Sequence, residues 1–141
     1  IITYDLPKPQ GLILLSPWVD LTDNKNFKSW QINEKFDYIN SKLANYFAHS
    51  YIDSKTHSLQ DVSPLYLNEE NLKKFPKVLI SFGEYEVLHD QIYEFVLKLI
   101  MLDCDVKHVV GKQMIHVYPL FHFTGVEQTK DFFKAVNLFI A

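Results

Sequence analysis

Glu86, in the run F-G-E-Y-E-V-L, and His116, in Q-M-I-H-V-Y, are the residues of this chain best suited to chemistry. A carboxylate bonded to one nitrogen of an imidazole fixes its tautomer and stabilises the cation it becomes on taking a proton. The other nitrogen is then free to accept the proton of a serine hydroxyl, a poor nucleophile at neutral pH, as that hydroxyl attacks an ester carbonyl. It later delivers a proton to the departing alcohol. Two other acids compete for the carboxylate's role. Asp90 lies 26 positions before the histidine, against 30 for Glu86. It ranks second because it falls on the next turn of a helical segment, where a first-turn aspartate serves the helix dipole by itself. Glu84 ranks third, as a solvated turn residue. Histidine also occurs at 49, 57, 89, 108 and 122, so His116 draws its weight from the acid upstream of it.

The interval between Glu86 and His116 leaves room for one helix and one strand. Lys77 to Phe82 reads as a strand, and Gly83 ends it at a turn where a side chain would crowd the backbone. Leu88, Ile92, Phe95, Val96, Leu99 and Ile100 then form one stripe of a helix over 87–102. Val106 to Val110 is a second strand, ended by Gly111. Such a unit returns the acid and the histidine to neighbouring strand ends, the rim of an open parallel sheet where ligands bind.

Upstream, Pro7 and Pro9 forbid a helix and mark a connector. G-L-I-L-L-S, 11–16, is an apolar run without alternation, the pattern of a strand covered on both faces. Its exit, S-P-W-V-D-L-T-D, turns at Pro17 and brings Trp18, Asp20 and Thr22 to the same rim, with Asp20 and Asp23 suited to turn-making or helix capping. Residues 24–75 form a more polar insertion with one good helix over 38–52, where Ile39, Leu43, Phe47 and Tyr51 fall at four-residue spacing and Asp37 or Asn40 can cap the start. An insertion of this length reads either as a cover over the rim or as a long crossover with no gating role. A last helix over 127–140 should bury Phe132, Phe133, Val136, Phe139 and Ile140. The fold class is α/β, a parallel sheet with right-handed crossover helices and a helical insertion, the acid and histidine both lying in 77–141.

Composition excludes several other roles. Apolar residues make up 48% and aromatics 15% of the 141, the make-up of a packed domain. Lys and Arg number 14 against 17 Asp and Glu, interspersed, so no basic stripe points to nucleic acid. A single cysteine, Cys104, rules out an internal disulfide and any cysteine-based metal site. The histidines lack the paired helical spacing of a metal centre, and no apolar run is long enough to span a bilayer. The chain opens without a signal-peptide pattern and without Met, consistent with a piece of something longer.

Two blocks carry a family resemblance: G-E-x-E-V-L-x-D from Gly83 to Asp90, and M-I-H-V-Y-P-L-F from Met114 to Phe121. They resemble the α/β-hydrolase family related to hormone-sensitive lipase, and within it the fungal carboxylesterases that deacetylate sterols. The likeness covers nearly the whole chain but only the C-terminal half of such an enzyme. It implies that Glu86 is the triad acid, a glutamate where the family often has aspartate, and that His116 is the triad histidine. It also implies a hydrophobic acetate ester as substrate, no cofactor, and an endoplasmic-reticulum anchor in a segment preceding the catalytic domain.

The family's nucleophile sits in a G-x-S-x-G turn. This chain has glycines only at 11, 83, 111 and 125, no two of them four apart. Ser16 lacks the flanking glycines of such an elbow and runs into proline. By resemblance the serine and the oxyanion segment precede Ile1, so these 141 residues by themselves are expected to be inactive. An apolar strand at 11–16 that lacks a neighbour should also promote self-association. Val117 to Phe121 is apolar enough to line a dry pocket, and Trp18 and Phe121 are candidate substrate contacts. The alternative is an inert hydrolase relic that binds a partner through Trp18, Trp30, Phe121 and Phe123. A flavodoxin-like nucleotide module is disfavoured, since no glycine-rich phosphate loop follows a strand.

Overall fold

Three parallel strands, β1 (Gly11–Leu15), β2 (Lys77–Gly83) and β3 (Val106–Gly111), pair in chain order in the computed structural model, which describes residues 6–22, 27–52 and 57–141. Gly11 pairs with Lys77 and Leu15 with Ser81, while Val78 pairs with Val106 and Gly83 with Gly111. The expected fold class is the observed one. This register puts Ser16, just past the end of β1, along one rim with Gly83 and Gly111, the last residues of β2 and β3.

β2 is the central strand. Val78, Leu79, Ile80 and Phe82 are each at most 1% exposed, as expected for a strand covered on both faces. β1 departs from the expectation for the same physical reason in reverse. Among the described residues it pairs only with β2, and as an edge it leaves Ile13 39% exposed and its neighbours half-buried.

Helix α5 (His89–Met101) packs Ile92, Phe95, Val96 and Leu99 into the core, together with Leu88 just ahead of it. At about 1.5–3 kcal/mol for each large apolar side chain removed from water, this stripe outweighs intrinsic helix preference. Ile100, counted above with the stripe, points outward and is exposed. The helix begins at His89 and not at 87, because residues 84–88 form a turn whose groups are engaged elsewhere. Helix α6 (Glu127–Ile140) has the expected bounds but buries only Phe132 and Phe139 of the five residues named; Val136 is half-buried, and Phe133 and Ile140 are exposed.

Between β1 and β2 the insertion folds as α1 (Lys28–Asn33), α2 (Ser41–Tyr51), α3 (Leu59–Val62), a 3-10 turn at Pro64–Tyr66, and α4 (Glu69–Leu72). In α2 the expected apolar face is reversed. Its buried residues are Ala44 and Ala48, whereas Leu43, Phe47 and Tyr51 are 40%, 52% and 65% exposed. The small alanines allow close approach to the body, and the larger row is left outside. Of the two cap candidates it is Asn40 whose side chain accepts a hydrogen bond from Leu43 N, at 2.9 Å. Asp20, buried, makes a tight turn by accepting from Thr22 N and Oγ1, and accepts from the Tyr66 hydroxyl as well. Asp23 and residues 1–5 fall outside the described residues. No helix among the described residues is long and apolar enough to cross a membrane.

Candidate active site

Glu86 lies in the turn between β2 and α5, with none of its side chain exposed. Its carboxylate is divided between two tasks. Oε2 accepts hydrogen bonds from Gly83 N, at 2.7 Å, and from Ser16 Oγ, at 2.6 Å. Oε1 has no hydrogen-bond partner and faces His116 Nδ1 at 3.8 Å. That nitrogen is itself buried and unpartnered, in a ring 16% exposed. Two buried polar atoms left open toward one another can be satisfied by each other, and closing the gap by about 1 Å would bring them to hydrogen-bond length. Such contacts are often long before substrate binds.

The turn around Glu86 is clamped by the insertion. Asn33 Nδ2 donates to the carbonyls of Glu84 and Glu86, at 3.1 and 2.9 Å. Asp37 Oδ2 accepts from Val87 N at 2.9 Å, and Ser29 Oγ donates to the Val87 carbonyl at 2.7 Å. Asp37 thus serves the acid's turn and not the start of α2.

The histidine loop is fixed at several points. Met114 O accepts from Tyr85 N and Gly111 O from Glu84 N, which extends the β2–β3 pairing past the strand ends. Gly83 makes this possible: a Cβ there would collide with the Met114 and Ile115 carbonyls. Val117 N donates to Ser16 Oγ at 2.9 Å, and the buried Tyr118 hydroxyl accepts from Ser81 Oγ at 3.0 Å. Tyr38 sets its ring edge against the imidazole, centroids 5.8 Å apart, and donates to the His116 carbonyl at 3.4 Å. Burial, helped by the charges of Asp37 and Glu86, raises the Tyr38 phenol above its ordinary range.

The other acids are occupied. Asp90 Oδ2 accepts from Ser29 N at the start of α1, and its Oδ1 lies 3.1 Å from His89 Nδ1. Glu84 is exposed and accepts from Gln113 N. Trp18 packs against the core cluster with its Nε1 buried and unpartnered. Phe121 lines an apolar pocket of about 280 Å³ with Met114, Ile115, Tyr118 and Val126, and Trp18 is not part of that lining. Ser16, weighed above only as a nucleophile, instead touches both the acid and the histidine loop. Ser29, Asn33 and Asp37 went unread as partners of the acid, since a polar stretch some fifty residues upstream gives no local sign of where its side chains dock.

The alpha/beta hydrolase fold family matches residues 2–120 of the chain. A protein of the fission yeast Schizosaccharomyces pombe, named "Putative steryl acetyl hydrolase mug81", is 34% identical over 119 residues, spanning 77% of this chain and 31% of that protein. Among solved structures, a thermostable esterase from Pseudomonas putida superposes with a TM-score of 0.74 at 26% identity, over 82% of this chain and 36% of the esterase. An esterase of the bacterial hormone-sensitive lipase family gives 0.74 at 26% identity, over 85% and 39%. Carboxyl esterase 2 of the fungus Tuber melanosporum shares the fold, at 0.72 and 24% identity, over 83% and 38%. The chain therefore spans between 31% and 39% of the length of these relatives.

Proposed function

Because this chain belongs to the α/β-hydrolase fold family, in its hormone-sensitive-lipase-like branch, we propose that it is the acid- and histidine-bearing part of a serine carboxylic-ester hydrolase. Glu86 orients and stabilises His116, and His116 acts as general base toward a serine supplied by polypeptide outside these 141 residues. The substrates are hydrophobic acetate esters such as sterol acetates, in keeping with the name of the yeast relative. The observation that carries the reading is the facing pair of open atoms, Glu86 Oε1 and His116 Nδ1, in a site otherwise closed by hydrogen bonds.

With Oε1 receiving the Nδ1 proton, the neutral ring presents a lone pair at Nε2. It takes the serine proton during attack and returns it to the leaving alkoxide, while the buried carboxylate offsets the positive charge in between. Ser16 does not serve as the nucleophile in this reading, because its proton is given to Glu86 and its oxygen already takes the Val117 N–H.

The test is an assay on two polypeptides. The 141 residues alone should not turn over nitrophenyl acetate, whereas a polypeptide extended by the preceding coding sequence should hydrolyse it and sterol acetates. In the extended protein His116→Ala should lower kcat by about 10⁴-fold or more, and Glu86→Ala by about 10³- to 10⁴-fold. Turnover that survives loss of His116, or robust turnover by the short chain that requires Ser16, would overturn the proposal.

A further inference from the structure

A serine hydroxyl offers one proton and accepts at two lone pairs, and Ser16 uses both capacities on the proposed acid–base pair. Its proton goes to Glu86 Oε2 in a contact of 2.6 Å, the length of a charge-assisted bond. Its oxygen receives the backbone N–H of Val117, the residue that follows His116, at 2.9 Å. The residue is 4% exposed. One atom therefore bridges the carboxylate and the loop that carries the imidazole, across 101 positions of sequence.

The backbone at both ends of this bridge is unusual. Ser16 has φ 44° and Val117 φ 48°, in the left-handed region that L-residues avoid and β-branched valine avoids most. Such conformations persist where the surroundings over-determine them, and they gather at functional sites. Here the common element is the Ser16 oxygen. Its bond to Oε2, with that of Gly83 N, fills one carboxylate oxygen and leaves the other as the acceptor aimed at His116 Nδ1.

We infer that Ser16 is a positioning residue for the acid–histidine pair, fixing the Glu86 rotamer and the register of the histidine loop through a single hydroxyl. The inference rests on the catalytic reading above for its purpose, but its geometry can be tested without turnover. In the histidine-labelled 141-residue chain, the His116 Nδ1 proton should give a downfield resonance in slow exchange with water that is lost in Glu86→Gln. In that variant the amide oxygen keeps the two donors and its NH₂ turns toward the ring.

Ser16→Gly removes the hydroxyl while tolerating the positive φ. It should melt cooperatively, yet lose the resonance or exchange it at least roughly tenfold faster, the scale of one lost hydrogen bond to a charged group. Ser16→Ala should do the same. In the unmodified chain the Val117 amide should be protected from exchange, a readout that needs no variant to fold. A Ser16→Gly resonance with unchanged exchange, an unmodified chain with no such resonance, or a Val117 amide exchanging as freely as an open one would each overturn the inference. A failure of the extended protein to hydrolyse esters would sink the catalytic reading and leave these signals where they are.

Discussion

The turn at 84–87 and helix α2 are both parts of the chain where sequence places several side chains of mixed character close together, and they fold by opposite solutions. In the turn nearly every polar group is matched inside the protein. Asn33, Asp37, Ser29, Ser16 and Gly83 meet the carbonyls, an amide and one carboxylate oxygen, so that a charged group can sit with no exposure. In α2 the polar side chains bond locally and near the surface, Asn40 at the cap, Ser41 to Glu34 and Ser50 to the Tyr46 carbonyl, while only two alanines are buried and the large apolar row faces out. Hydrophobicity alone predicted burial in α2 and said nothing of the turn. A dry polar site is made by hydrogen bonding most of its groups, here all but the facing Glu86 Oε1 and His116 Nδ1, and a helix face is buried only where its side chains are small enough, or shaped, for what they meet.

The contrast can be broken most directly at Glu86. Glu86→Ala leaves Gly83 N–H and the Ser16 hydroxyl as donors in a closed site, and should cost about 3 kcal/mol in urea unfolding, since each buried unsatisfied group costs about 1–3 kcal/mol. A loss below about 1 kcal/mol would mean that water reaches the turn. Asn33→Ala strips one donor from two carbonyls and should cost about 2 kcal/mol by the same measurement. Phe47→Ser on α2, by comparison, should stay within about 0.5 kcal/mol, as exposed positions do.

The same contrast explains what could be read from the sequence. The β2–α5–β3 unit was legible because its pattern is strong and local: a buried apolar run, a glycine, a 3.6-residue stripe and a second glycine. It places Glu86 and His116 in the loops that follow two neighbouring strands, and there their facing atoms lie 3.8 Å apart. The role of Gly83 was legible in kind, and the structure adds that the crowding atoms are the Met114 and Ile115 carbonyls. The clamp was not legible. Asn33 and Asp37 act at separations of 53 and 50 positions, and nothing in a polar run tells which carbonyl an amide will find. Ser16 stood at the end of a strand adjacent to that of the acid, which parallel pairing could have revealed.

Edges test the contrast at a third place. β1 offers an open side and a 39% exposed Ile13 among the described residues, and we expect the isolated chain to self-associate through it. Light scattering at increasing concentration should show dimers or larger species. Ile13→Lys should suppress them, because edge lysines block strand addition. Suppression by Phe47→Ser instead would assign the contact to the α2 face.

Alkaline pH probes the buried anchor of the histidine loop. Burial raises the Tyr118 phenol above its ordinary range, and the charges of Asp131 and Glu86 act in the same direction against the donated Ser81 hydrogen bond. The unfolded chain releases this proton near pH 10, while the folded protein keeps it to higher pH. Between those limits the folded state binds more protons than the unfolded one, so stability is full below about pH 10 and falls as pH rises through the window. Tyr118→Phe removes that contribution and also leaves the Ser81 hydroxyl without its acceptor, at a cost of about 1 kcal/mol. The variant should therefore melt lower at pH 8 and lose less between pH 9.5 and 11.5 than the unmodified chain. Parallel Tm-versus-pH curves for the two would place the alkaline sensitivity at other tyrosines, Tyr38 and Tyr66 first, whose phenols are raised by burial as well.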